Sequence, residues 1–348
     1  MVKADVTIVG GGPAGSALAV ALGRRGVRVV LHEKARHPRR KPCGEGLLPY
    51  GVNALGGLVG LPPAPRVGGL TFRAGDASVD AEFRRGYGLV VRRDWFDTWL
   101  FEAAASSPNV DARPGEPYRG ERAPVLVGAD GARSMFHRRL PAQVARPLRA
   151  GLSAHVSGLE GVGDRVEVFF HDDGELYLAP SDDGEALVAG LFDYRSFRRD
   201  GIQHLVSHIP ALRDRAVDMT FTTPILAAAP LGTFVPKIVD VPDRLLLVGD
   251  AAGAADPITG DGMALALLAT QDAADAIVTG DLLGYQRRRL ARGRTARRLG
   301  RLLLGLSRTE RRAAWFLREL SGAVPVLMAH AVGGECAPSW LEGDDGTV

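Results

Sequence analysis

Four nearly continuous apolar runs organise the chain: Val6-Thr7-Ile8-Val9, Val27-Arg28-Val29-Val30-Leu31, Val125-Leu126-Val127 and Leu245-Leu246-Leu247-Val248. Runs without strict alternation are the pattern of parallel strands buried on both faces. After the first, Pro13 stands where a helical first turn tolerates a missing N–H. Ala14, Ala17, Leu18, Ala21 and Leu22 then form a helical stripe that closes near Gly23 to Gly26. Strand, helix and strand predict a βαβ start. Residues 36–70, rich in Gly and Pro, predict extended loop, broken most clearly at Leu61-Pro62-Pro63-Ala64-Pro65. Between 151 and 194 the pattern changes to short alternating runs such as Arg165-Val166-Glu167-Val168-Phe169-Phe170. Asp-Asp-Gly turns at 172–174 and 182–184 separate these runs and predict hairpins. A helix is expected from about Met263, and a helical, basic tail from about Asp281.

Composition adds limits. With 348 residues, 46% of them apolar and 24% charged, the chain has the make-up of an ordinary globular protein. A net charge of +3 is small for this length and gives no reason to expect a nucleic-acid partner. No stretch reaches the roughly 18 apolar residues of a membrane span. The first strand begins too early for a signal peptide, and Cys43 and Cys336 make no disulfide framework. A reduced, cytoplasmic location is the expectation. Between Arg287 and Arg312 lie eleven arginines and one acid, Glu310, so peripheral contact with a membrane through this tail is a further expectation.

The chemistry sits at the ends of the apolar runs. Gly10-Gly11-Gly12-Pro13-Ala14-Gly15 follows the first strand. Gly10 permits the tight turn, Gly12 lets the backbone approach a pyrophosphate, and Gly15 lets helix and strand pack closely. The helix N-terminus beyond Pro13 and Ala14 adds a partial positive charge. Glu33, followed by Lys34, closes the second strand where an acid can accept hydrogen bonds from an adenosine ribose. Gly128-Ala129-Asp130-Gly131 and Gly249-Asp250 follow the third and fourth runs. Pro257-Ile258-Thr259-Gly260-Asp261-Gly262-Met263 opens a helix whose N–H groups could face an anionic ring.

These three glycine-and-acid signatures, in this order, resemble the FAD-dependent hydroxylase and geranylgeranyl reductase superfamily, the p-hydroxybenzoate hydroxylase-like flavoproteins. The resemblance implies FAD as cofactor, with Asp130 near its pyrophosphate and Asp250 on the ribityl chain and phosphates. Gly260, Gly262 and Met263 would face the flavin, and Arg93, in Arg93-Asp94-Trp95-Phe96-Asp97, would reach its polar chain, with Arg92 the competing residue. Pro42-Cys43-Gly44-Glu45-Gly46-Leu47 looks like the Pro-x-Cys-Gly-Gly motif of geranylgeranyl reductases, with Glu45 in place of a glycine. Cys43 and Gly44 would border the flavin, Cys43 being also the candidate catalytic thiol, and Leu47 would border substrate. The aromatic Tyr-x-Trp-x-Phe-Pro segment of those reductases survives only as Tyr177 and Pro180, the candidate substrate contacts.

The implied fold is α/β. A discontinuous, Rossmann-like FAD-binding domain (1–65, 88–150, 240–280) carries an inserted, mostly antiparallel substrate sheet (66–87, 151–239) and a helical C-terminal region (281–348). The implied activity is NAD(P)H-using oxidation or reduction of a hydrophobic small molecule, with NADH or NADPH arriving from outside because no second dinucleotide fingerprint exists. Hydroxylation by a flavin monooxygenase is the leading expectation, favoured by the loss of the Trp and Phe, and reduction is the alternative. Cys43 favours reduction of a prenyl carbon–carbon double bond. A non-catalytic binder of the Rab escort or GDP-dissociation-inhibitor kind is the reading from another class. The halogenase Trp-x-Trp-x-Ile-Pro motif is missing, and His204 and His208 lack the glutamate of a zinc-protease pair, so no metal is expected. His155 and His171 read as ordinary sheet residues.

Overall fold

The computed structural model describes residues 4–144, 148–319 and 321–323. A six-stranded sheet runs in the order Val239–Asp240, Leu245–Leu247, Val125–Gly128, Val6–Val9, Val29–Glu33, Val110–Pro114. It is parallel except for its first pair. In this order Val9 lies opposite Gly128, and Gly128 opposite Leu247. Three turns distant in sequence thus leave the same edge of the sheet side by side, at the carboxyl ends where ligands of such sheets bind. The helix Pro13–Gly23 is buried from Gly15 to Gly23, consistent with its apolar sequence.

The expectation of loop over 36–70 is corrected by the helix Pro49–Val59, with Pro49 in its first turn and Tyr50, Val52, Leu55 and Leu58 buried. The glycines that suggested a loop serve helix packing instead: a Cβ on Gly51 would come within 2.6 Å of the Ala264 Cβ in the helix Gly262–Thr279. Gly46–Leu47, Gly88–Val90 and Arg66–Val67 form a small separate sheet.

The second large sheet is antiparallel apart from one parallel pair, Arg165–His171 with Gly69–Ala74. Ala77–Glu82 closes one edge. On the other side follow Gly174–Pro180, Ala186–Asp193 and Arg149–Ser157, whose outer side pairs with both Thr220–Phe221 and Leu226–Leu231. Both Asp-Asp-Gly segments turn between antiparallel neighbours. Phe169, Leu176 and Leu178 pack against Ile202, Leu205 and Val206 of the helix Gly201–His208. The opposite face, with Phe72, Val168, Phe170 and Tyr177, joins the main core.

The tail forms the helices Leu282–Leu306 and Glu310–Glu319. Asp281 caps the first by accepting a hydrogen bond from the Gly284 N–H. The Tyr285 hydroxyl, fully buried, donates to the Leu247 carbonyl at 2.9 Å, and Arg289 donates to the Gly253 carbonyl at 3.0 Å. Cys336, in the expected C-terminal region, lies outside the described residues.

Candidate functional site

Contacts among the glycine turns build the first wall. Gly10 has φ +112°, and a Cβ on it would overlap the Ala129 carbonyl and stand 2.8 Å from the Asp130 N–H nitrogen. Only glycine accepts that combination of dihedral and crowding. Gly249 (φ +58°) lies against Ala14, where a Cβ would come within 2.7 Å of the alanine methyl. Gly262 stands near Asp250, whose carboxylate is 4.0 Å from the position of a Cβ there. The first, second and third signatures therefore touch in a chain, and the start of the helix Gly262–Thr279 joins them.

Gly12 is the N-cap of Pro13–Gly23 and offers no side-chain cap, so this helix start keeps N–H groups for an anion. Beside it, buried Glu33 accepts hydrogen bonds from the Gly11 and Ala35 N–H groups, each at 2.8 Å. Each carboxylate oxygen retains a lone pair, so this engagement is compatible with a ribose hydroxyl. Lys34 next to it is exposed. Asp130 accepts from the Met135 N–H at 2.8 Å through one oxygen, while its other oxygen is buried without a partner. Sequence reasoning did not single out Arg39 as a cofactor residue. Its guanidinium is 3.4 Å from where a Gly12 Cβ would stand, 3.2 Å from Asp97 and 3.9 Å from Glu33, and its Nε is buried without a partner. A guanidinium at the glycine turn with one nitrogen still unpartnered, and an unpartnered acceptor on Asp130, suit a pyrophosphate and the hydroxyls attached to it. The residues present fit FAD.

The cysteine loop and the antiparallel sheet form the second wall. Arg93, expected to reach toward the flavin's polar chain, is buried and turned inward. It makes a two-pronged pair with Asp97 at 2.8 and 2.9 Å and lies against the Cys43 thiol. Burial opposes its charge, but Cys43 and Asp97 outweigh burial and hold the guanidinium above its ordinary pKa. The competing Arg92 pairs with Glu185 at 2.7 Å. The Cys43 N–H donates to Ser153 Oγ at 3.2 Å, and its half-buried sulfur accepts from the Glu45 N–H at 3.3 Å.

Glu45 adopts φ +55°, the backbone region that the family's glycine at this motif position would enter without strain. Its buried carboxylate accepts from the Arg93 N–H at 3.0 Å, at the start of the helix Arg93–Ala105, and pairs with His155 Nε2 at 2.9 Å. The reading of His155 as an ordinary sheet residue is thereby corrected: it ties the cysteine loop to the strand Arg149–Ser157. Between the cysteine loop, the start of the helix Arg93–Ala105 and the antiparallel sheet lies a cleft of about 300 Å³, open mouth included, lined among others by Lys41, Glu45, Arg93, Ser153 and His155.

The remaining expected residues are dispersed around this frame. Gly44 and Gly260 are exposed with open space where a Cβ would be, and Met263 is half-buried at the helix start. Leu47 is 1% exposed and packs beside Gly51 in the core, so it presents no surface to a substrate as the structure stands. Pro180 ends its strand half-buried. The Tyr177 hydroxyl donates to Glu175 at 3.0 Å. Arg149 (3.1 Å) and Ser307 (3.2 Å) also hold Glu175, and Asp256 lies 3.8 Å from the same arginine. Burial pushes the Glu175 and Asp256 carboxyls up against the opposing pull of Arg149.

Comparison with known proteins agrees with this geometry. The family described as "FAD binding domain" matches residues 3–56. The menaquinone reductase of Mycobacterium tuberculosis is 28% identical over 320 residues, covering 80% of this chain and 78% of that protein. The digeranylgeranylglycerophospholipid reductase of Methanocaldococcus jannaschii is 28% identical over 332 residues, covering 82% and 81%. Among solved structures, the flavin-dependent brominase Bmp2 shares the fold with a TM-score of 0.83 at 19% identity, over 97% of this chain and 95% of that one. With its three signatures joined at one sheet edge, the chain carries an FAD-binding domain and is similar to flavoproteins of the FAD-dependent hydroxylase and geranylgeranyl reductase superfamily.

Proposed function

We propose that this enzyme is an FAD-dependent oxidoreductase that takes electrons from NADH or NADPH and reduces a carbon–carbon double bond in a hydrophobic, prenyl-type small molecule. The observation that carries this reading is the placement of Cys43 against buried Arg93, on a loop fixed to the antiparallel sheet through Ser153 and through Glu45–His155. Reduction of such a bond adds a hydride to one carbon and a proton to the other. When bound, FAD supplies the two-electron chemistry and delivers the hydride taken from the nicotinamide. The chain's own part is to hold the pyrophosphate with the Gly10–Gly15 turn and Arg39, and the ribose with Glu33. Cys43 gives its thiol proton to the second carbon, and buried Arg93 stabilises the thiolate left behind until water reprotonates it. The Arg93–Asp97 pair fixes the helix start beneath that thiol, and the sheet face bearing Tyr177 borders the substrate. Both sequence relatives are named as reductases, which supports the same reading.

A second reading is hydroxylation. It is favoured by the segment Tyr177-Leu178-Ala179-Pro180, which lacks the reductases' Trp and Phe. Single-turnover reaction of the reduced, FAD-loaded protein with a geranylgeranyl-chain probe separates the two. Reduced product formed without oxygen, and slowed at least tenfold in Cys43→Ser at unchanged FAD content, is the expected result. Product that forms only with oxygen and carries an added hydroxyl overturns the proposal in favour of hydroxylation.

A further inference from the structure

The helix Leu282–Leu306 carries Arg287, Arg294, Arg298 and Arg301 at spacings of seven, four and three. Those spacings put all four on one stripe of a helix with 3.6 residues per turn. All four are exposed. Leu283 and Leu302, on the same stripe or at its rim, are 50% and 45% exposed, large for leucines of a folded chain. The flanking Arg288 and Arg292 pair with Asp272, but among the described residues no acid lies within ion-pair distance of the four. The like charges crowd one another: burial, with Arg289, Arg294 and Arg301 nearby, pushes the neighbouring Arg297 guanidinium below its ordinary pKa. The next helix adds exposed Arg311 and Arg312, and Trp315 at 56% exposure. No helix among the described residues is long and apolar enough to cross a membrane.

We propose that this stripe docks the protein on the surface of an anionic lipid bilayer, with the arginines at the phosphate headgroups and Leu283 and Leu302 in the headgroup–acyl boundary. Charge complementarity chooses a polyanion, and the leucines choose among polyanions. A bilayer interface accepts apolar side chains beside cations, whereas a nucleic-acid backbone gives them no partner. The stripe spans roughly 20 Å between Arg287 and Arg301 at ~1.5 Å per residue, so several headgroups can be engaged together. Docking here does not depend on which reaction the enzyme performs.

The test is co-sedimentation of the FAD-loaded protein with vesicles of phosphatidylcholine alone or with 30% phosphatidylglycerol (roughly one anionic lipid in three, enough to raise a surface potential). Binding to the anionic vesicles only, weakened by salt, is expected. Each neutralised arginine lowers the partition coefficient about fivefold, equivalent to about 1 kcal/mol. The triple variant R294Q/R298Q/R301Q should therefore lose about a hundredfold, while R294K/R298K/R301K stays near wild type. Unchanged flavin absorbance and unfolding midpoint establish that the variants are folded. Equal partitioning onto both vesicle types, wild-type binding by the glutamine variant, or retention on DNA without retention on anionic vesicles would each overturn the proposal.

Discussion

Replacing Glu45 by glycine tests two opposed effects at one residue. The substitution restores the residue that the family's motif places there and removes a side chain from φ +55°. Relief of left-handed strain is worth roughly 1–2 kcal/mol. The added freedom of glycine in the unfolded chain returns about 0.5–1 kcal/mol of that. Against this small gain stand two buried hydrogen bonds, Arg93 N–H to Glu45 at 3.0 Å and His155 Nε2 to Glu45 at 2.9 Å. Leaving each partner unsatisfied costs about 1–3 kcal/mol, and the helix N-terminus loses a favourably placed anion. The cleft admits some water to these groups, so the lower part of that range applies, and the net expectation is destabilisation by roughly 2–4 kcal/mol. Urea unfolding of the FAD-loaded protein, followed through tryptophan fluorescence, should show a midpoint lowered by roughly 0.5–1 M. Glu45→Gln, which keeps an acceptor for the Arg93 N–H, should lose less than half as much. An unchanged or raised midpoint in Glu45→Gly would show that strain outweighs the bridge, and would refute the assignment of Glu45 and His155 as the tie between loop and sheet.

Two further expectations concern the other walls. Gly10→Ala forces a Cβ into the Ala129 carbonyl at φ +112°. It should cost about 2–5 kcal/mol as strain and overpacking add, and weaken FAD binding at least tenfold in a fluorescence titration. Near-native affinity would mean that the first two signatures need not touch. Glu175 has its carboxyl raised by burial, so the folded chain keeps this proton to higher pH than the unfolded chain does. The stability it contributes is complete below about pH 4.5, the ordinary glutamate value, and is lost as pH rises through the folded pKa. Denaturant midpoints measured from pH 4 to pH 8 should therefore decline more steeply in the wild type than in Glu175→Gln; parallel profiles would contradict the raised carboxyl.

What the sequence disclosed, and what it withheld, follows from the range of the interactions involved. The nucleotide wall was legible because each piece is local. A buried run, a glycine turn and an acid at the next strand's end are patterns within some thirty residues, and parallel pairing then sets Val9, Gly128 and Leu247 in line. Arg93–Asp97 was also within reach, since an arginine and an aspartate four apart on a helix pair by geometry alone, but the family resemblance drew the arginine toward the cofactor instead. The helix Pro49–Val59 was hidden by Gly51, Gly56 and Gly57, because glycine serves close helix packing as readily as it serves a turn. Glu45–His155 could not be read at all. Its partners are 110 residues apart, and their meeting depends on the register of Arg149–Ser157 and on the path of a loop, neither of which any local pattern encodes. Arg39 has the same character: only the folded loop brings it over Gly12. The cofactor is therefore written into short motifs at one sheet edge. In the proposed reading, the substrate meets the cleft between the cysteine loop and the antiparallel sheet, a region held by the buried contacts of Glu45 with His155 and of Arg149 with Glu175 and Asp256. Exchanges at Glu45, His155, Arg149 or Glu175 should accordingly alter which substrate is accepted while sparing FAD binding, and exchanges in the glycine turns should do the reverse.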